Sequence, residues 1–370
     1  MDFTLSEDQV LLQDSVRRFV AERYGFDARR AIVAGPDGFS RAHWRTMAEL
    51  GWLMLPFDEA DGGLGGGGVE IMLVAEQFGR GLVVEPFLTS CIMAGDLIAR
   101  LGTPDQKGRL LPPIMDGGLL ATVAATEPQS RFDLGAVATR AERRDGGWVL
   151  DGAKSVVLHG PSAGLFVVPA RTAEGITLFL VPGDAAGLTR RDYPLVDGWR
   201  ASDVRLEQVR VDDGARLGAA GAGLAPLQAM ADRAILALGA EAVGAMEVLL
   251  WSTVEYARTR VQFDQPIGRF QVVQHRLVDM YVEYEQTKSL LLLAAMRLGE
   301  GGTAAASAAS ALKAQVGRAG RFIGQQAVQL HGGMGMTDEL PVGHYFKRLT
   351  AIDALFGNVD FHLERFASLS

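Results

Sequence analysis

The sequence predicts a mainly helical protein with a β insert: a helical region over residues 1–118, a small β-barrel or sandwich over 119–215, and a bundle of long helices over 224–370. Two patterns carry this reading. Apolar residues recur at helical spacing at both ends of the chain, whereas the middle shows short β-branched segments broken by Gly, Pro and Asp. At 370 residues and 48% hydrophobic, the chain is long enough to bury a large core around such elements.

Ser6 precedes Asp8 and Gln9, and Leu11, Leu12, Val16, Phe19 and Val20 follow at helical spacing, which predicts a capped amphipathic helix. Trp44, Met47 and Leu50 predict a second. From Asp61 to Gly68 six of eight residues are glycine, so backbone entropy demands a loop before the apolar helix at Val69–Phe78. Such a loop can cradle phosphate, but the strand and lysine of a P-loop are missing around it. A further helix is expected from Leu88 to Leu101. In the middle, Gly147–Val157, Leu165–Pro169 and Ile176–Val181 read as strands, and Val204, Leu206, Val209 and Val211 nearly alternate. After a linker at Leu217–Gly223, long helices are expected over Ala229–Arg260, Gln271–Gly299 and Thr303–Leu330. The alanine-rich run at Ala304–Ala311 reads as a tightly packed bundle helix.

Composition narrows the function. With 36 Lys and Arg against 44 Asp and Glu, the net charge of -8 offers no general footprint for nucleic acid or an anionic membrane. The lone Cys91 excludes an intrachain disulfide and a thiolate metal cluster, and it reads as a small core residue; no metal site is expected. The acidic start MDFTLSEDQV lacks a signal-peptide core, and no run of about 18 apolar residues occurs, so a cytoplasmic protein without a membrane span is expected.

Four groups of residues bring in a family. Thr126-Glu127-Pro128 is followed by Gly198 through Ser202, by Arg260, Phe263, Ile267, Phe270 and Gln271, and by Gln329-Leu330-His331-Gly332-Gly333-Met334-Gly335 with Glu339 and Pro341. In order and spacing, over essentially the whole chain, this resembles the signature of acyl-CoA dehydrogenases. The resemblance implies an N-terminal helical domain, a middle β-domain and a C-terminal four-helix bundle. It also implies FAD, an acyl-CoA substrate oxidised to the 2,3-enoyl-CoA, and electron-transfer flavoprotein or a similar acceptor. In the family each FAD spans two subunits, its ring on one and its ADP half on the neighbour. Carried over by motif, the ADP half falls to Arg260, Phe263, Gln271, Gln329, Gly332 and Gly333, and the ring side to Thr126. A guanidinium fork suits pyrophosphate, and glycine lets backbone approach a ligand. His331 reads as a packing or hydrogen-bonding residue within this motif.

The ring side departs from the family pattern. A Gly-Ser-Asp turn is replaced by Gln129-Ser130-Arg131-Phe132-Asp133, and a Trp-Ile-Thr-like triplet by Val156-Val157-Leu158. Where the family reads Tyr-Glu-Gly-Thr, with the glutamate as base, this chain has Leu355-Phe356-Gly357-Asn358, and Phe356 cannot take a proton. An alternative family position for the base falls at or beside Ala234, with Asp232 and Glu241 as the acids nearby. The expectation is therefore a non-catalytic subunit in an α2β2 heterotetramer. It would complete the FAD site of a homologous partner that carries the base, in breakdown of a lipid or steroid side chain. A homomeric enzyme with its base moved to Glu241 or Asp232, and a non-enzymatic acyl-CoA-binding scaffold, are the alternatives.

Overall fold

The computed structural model describes residues 4–369. Six helices open the chain: α1 (Glu7–Arg23), α2 (Phe26–Ala34), α3 (Arg41–Glu49), α4 (Gly68–Gly81), α5 (Asp96–Leu101) and α6 (Pro104–Met115). The expected cap on α1 is present: Gln9 N–H donates to Ser6 Oγ at 3.2 Å, and Ser6 N–H donates to Gln9 Oε1 at 3.0 Å. The glycine-rich segment is a loop that runs into α4, with Gly62 at φ +86° and Gly65 at φ +67°. Leu88–Gly95, expected as ordinary helix, is a buried wide-turn π-helix that leads into α5.

Eight strands form one mixed sheet: β1 (Ala121–Val123), β2 (Arg140–Arg144), β3 (Gly147–Leu158), β4 (Leu165–Thr172), β5 (Gly175–Pro182), β6 (Leu188–Pro194), β7 (Arg200–Asp212) and β8 (Arg216–Leu217). Their order is β6-β7-β3-β2-β4-β5-β8, with β1 parallel to β4. Alternate residues of β3, β4, β5 and β7 fill the interior, including Trp148, Leu150, Phe166, Phe179 and Leu206. The sequence places a linker at Leu217–Gly223; Leu217 instead closes the sheet edge by pairing with Leu178.

The remaining elements are α7 (Leu224–Thr259), a short hairpin of β9 (Val261–Gln262) and β10 (Gln265–Pro266), α8 (Gln271–Leu298), α9 (Gly302–His331), α10 (Val342–Ala354) and α11 (Val359–Leu369). α7 starts five residues before the predicted Ala229. Pro226 fits its first turn, where no N–H is needed, and Leu227 is already fully buried. α7 is long and apolar enough to cross a bilayer by composition, yet 83% of its most apolar window is buried in protein. α9 packs against α8, α10 and α11.

The chain divides into two compact units. One holds everything up to Ala31, Gly67–Val83 and the chain from Ile235 onward; the other holds Ile32–Gly66 and Val84–Ala234. In the first, α4 and α7 cross almost in backbone contact. A Cβ on Gly79 would lie 1.9 Å from the Glu241 carbonyl oxygen, and one on Gly244 would lie 2.0 Å from that of Glu76. Arg80 then bridges the crossing to Glu247 at 2.6 Å. On the next turn, Trp251 is 51% exposed and lies 6.3 Å from Tyr281 of α8.

In the second unit the loop after β1 is held by one buried ion pair. Lys154 Nζ donates to Glu127 Oε1 at 2.6 Å and to the Pro169 carbonyl at 2.7 Å. The same carboxylate accepts the N–H groups of Ala138 and Thr139 at 2.7 and 3.1 Å. Burial raises the Glu127 pKa, but the Lys154 charge and these donors outweigh it and bring it down to about 2.

Two outcomes follow from this packing. Gly244→Ala should lower stability by about 1–3 kcal/mol, because neither backbone can yield to the added methyl; the shift in urea midpoint measures it. Glu127 should contribute stability in full above its ordinary value of 4.5, and that contribution should fade as pH falls toward 2. Glu127→Gln should cost about 3–5 kcal/mol near neutrality by stranding the buried ammonium, and should flatten the acid limb of stability against pH. An unchanged acid limb in the variant would show that another carboxylate controls it.

Candidate functional site

The proposed ADP-side residues lie at two chain reversals of the first unit. Arg260 follows α7, its N–H continuing the helix ladder to the Tyr256 carbonyl at 2.8 Å and its carbonyl accepting Ile267 N–H at 2.8 Å. Its side chain is exposed, and among the described residues no carboxylate pairs with it. Phe263, at the tip of the β9–β10 hairpin, is 85% exposed with φ +54°, and its ring meets Phe270 edge-on at 6.0 Å. Gln271 opens α8 and is exposed. On α9, Gln329 is exposed in the last turn, and Gly332 ends the helix at φ +61°.

That φ is the local reason for glycine at 332. A Cβ built on Gly332 or Gly333 meets nothing within 4 Å, so open space lies against both. The two reversals are tied together. The Tyr256 and His331 rings stack at 4.3 Å and 25°, and Arg276 of α8 donates to Gln326 of α9 at 2.8 Å. An exposed cation with no carboxylate partner among the described residues, on a reversal tied to an unobstructed glycine turn, fits a phosphate-bearing ligand.

The ring-side residues belong to the second unit. Thr126 is exposed, and its carbonyl accepts Ser155 N–H at 2.9 Å. Arg131 and Val156 are both exposed and both left-handed, at φ +48° and +51°. Val157 and Leu158 are buried in the sheet. Val156 N–H donates to Asp203 Oδ1 at 3.3 Å, and the Tyr193 hydroxyl donates to the same oxygen at 2.8 Å. Where the resemblance implies a side-chain hydroxyl for the flavin, Val156, Val157 and Leu158 supply none.

The acids that could replace the base fare differently. Glu241 is not a free acid. Arg348 Nε and Nη2 grip its two oxygens at 2.5 and 2.7 Å, with Glu241 7% and Arg348 1% exposed. This bidentate pair stabilises the Glu241 carboxylate as an anion and ties it to α10, which weighs against the expectation that Glu241 could serve as base. Asp232 is buried on α7, and its neighbour Arg233 pairs with Asp96 at 3.0 Å.

Phe356 sits at φ +57° beside Gly357 at φ +114°. Its carbonyl lies 2.9 Å from His362 Nε2, while Lys313 Nζ donates to the carbonyls of Asp353 and Gly357 at 3.0 and 2.5 Å. Burial lowers Lys313 to about 8 and His362 to about 4, so His362 is neutral over the ordinary range. Sequence reasoning missed this pair. A single lysine inside an alanine-rich helix was the available signal.

Comparison with known proteins bears on the family. Family models described as the N-terminal, middle and C-terminal domains of acyl-CoA dehydrogenase match residues 6–118, 122–212 and 221–368. Benzylmalonyl-CoA dehydrogenase of Aromatoleum aromaticum is 33% identical over 80% of this chain and 80% of its own length. The ChsE4–ChsE5 complex from Mycobacterium tuberculosis superposes with a TM-score of 0.92 at 29% identity, covering 100% of this chain and 98% of the other. The structure of PigA with FAD and proline does so with a TM-score of 0.92 at 27% identity, over 100% and 98% of the two chains. With three consecutive domain matches and a helical–sheet–helical architecture to go with them, the chain belongs to the acyl-CoA dehydrogenase family.

Proposed function

We propose that this chain is the non-catalytic subunit of a two-component, FAD-dependent acyl-CoA dehydrogenase, holding the ADP half of a flavin whose ring and base lie on a homologous partner. The observation that carries the reading is the contrast between the two halves. Arg260, Gly332 and Gly333 are open to a ligand, whereas Phe356 stands in the base position and Glu241 is locked by Arg348.

FAD, when bound, accepts the hydride that leaves the acyl β-carbon. This chain's residues do the holding. Arg260 offers a charge-assisted fork to the pyrophosphate, Gln271 and Gln329 offer amide donors, the Gly332–Gly333 turn offers backbone, and Phe263 offers an exposed aromatic face. Thr126 alone keeps a family residue on the ring side. Removal of the α-proton needs a carboxylate that can accept it, and that role passes to the partner.

The exposed apolar residues of α8, Val272, Val278, Val282, Leu293 and Met296, support a protein neighbour on the bundle. The likeness to a complex of two different proteins, ChsE4 and ChsE5, supports an α2β2 assembly. Electrons would pass onward to electron-transfer flavoprotein or a similar acceptor. The alternative of a homomeric enzyme rests on Asp232 once Glu241 is occupied.

Purified alone, the chain should carry no stoichiometric flavin, and with its partner it should yield one FAD per two chains. Arg260→Ala in the complex should weaken FAD retention about ten- to hundredfold. A yellow lone chain with one FAD each, or an Arg260→Ala complex that binds flavin normally, would overturn the reading. Phe356→Glu should restore no acyl-CoA oxidation to the lone chain, and Asp232→Asn should leave the rate of the complex within about threefold of the parent. Loss of about a thousandfold in Asp232→Asn, with flavin content intact, would make this chain's own site catalytic.

A further inference from the structure

From the contact between the two chain reversals we infer that Tyr256 and His331 are positioning residues, a stacked brace that holds Arg260 and the Gly332–Gly333 turn in register for one ligand. The inference rests on the ADP-side reading above and names the device that keeps its parts together.

Arg260 and the glycine turn sit where helices are weakest. Each lies just past the end of a long helix, where the intrahelical ladder runs out and other contacts must fix the chain. A fork contact to a ligand is sensitive to displacement of about 1 Å, so two ends that shifted against each other would bind poorly. Tyr256 lies one turn before Arg260 and accepts its N–H, while His331 immediately precedes Gly332. Their rings stack at 4.3 Å and 25°, which couples the two ends directly.

The His331 ring is itself aimed by its own helix. Nδ1 lies 2.8 Å from the Ala327 carbonyl, and because a carbonyl only accepts, the proton sits on Nδ1. Burial lowers the His331 pKa, which favours the neutral ring. The Tyr256 hydroxyl, 3.5 Å from the His331 carbonyl, is at the limit of a hydrogen bond, so the faces of the rings rather than the hydroxyl carry the contact.

The test is FAD dissociation from the assembled complex, followed by flavin fluorescence beside the unfolding midpoint. Tyr256→Leu should weaken FAD retention about three- to tenfold. Tyr256→Phe, which keeps the face, should restore it. Combined with Arg260→Ala, Tyr256→Leu should cost less than it does alone, because the brace then has one contact fewer to align. If Tyr256→Leu fails to assemble, His331→Gln, which keeps a donor for Ala327 and removes the ring, replaces it. A lower unfolding midpoint with unchanged FAD retention overturns the brace. So does failure of Tyr256→Phe to rescue, or full additivity with Arg260→Ala. If Arg260→Ala itself leaves FAD retention unchanged, the ADP-side reading fails rather than the brace alone.

Discussion

Three helices meet at Glu241. Its carbonyl oxygen faces Gly79 of α4 at a distance no Cβ could tolerate, and its carboxylate is gripped by Arg348 of α10. Neither charge could be buried alone, since an unpaired ion in such surroundings costs several kcal/mol, so each makes the other's burial possible. The chain from α10 into the Phe356 loop takes its starting point from this pair. The arrangement also commits an acid of α7 to an ion pair within the fold.

The Phe356 loop is held through its backbone. A phenylalanine in the left-handed region costs about 1–2 kcal/mol against an ordinary backbone. Lys313 and His362 nevertheless hold the carbonyls of residues 353, 356 and 357 from within the protein. A buried ammonium that satisfies two carbonyls is a strong local constraint, and it acts on backbone, indifferent to the side chain carried above it. The loop can therefore keep its course whether it presents a glutamate or a phenylalanine. The reversals at Arg260 and Gly332 are built on the opposite principle, with side chains left exposed and open space against the glycines.

Much of the fold was legible because local chemistry and global placement agree. Ser6 and Gln9 cap α1, the glycine run is a loop, and the β-branched segments pair as strands. The π-helix at Leu88–Gly95 escaped notice because its apolar period differs little from that of an α-helix, and the close fit of Gly95 to the Phe57 ring is a tertiary fact. Gly79 and Gly244, residues of poor helix propensity, are what allows α4 and α7 to touch. Arg260, Gln271, Gln329 and Gly332 were singled out by their resemblance to family motifs, and they lie at two chain reversals. What engages Glu241 could not be found that way, since Arg348 lies 107 residues away and nothing in either segment names the other. His331 sat inside a quoted motif and Tyr256 outside every one, and only the fold brings ring against ring.

The chain has five tryptophans, and four of them, Trp44, Trp52, Trp148 and Trp199, are 2–5% exposed. Trp251 is 51% exposed on α7 beside Tyr281. Emission from the four interior indoles is set by protein and hardly responds to what surrounds the molecule. The remaining indole emits from a watery setting, at longer wavelength, and any neighbour that covers this stretch of the bundle must dry it. The protein thus carries an optical gauge of its own assembly, needing neither dye nor tag. A blue shift on mixing with a candidate subunit would report contact at α7 and α8 specifically, separable from any loss of the folded core.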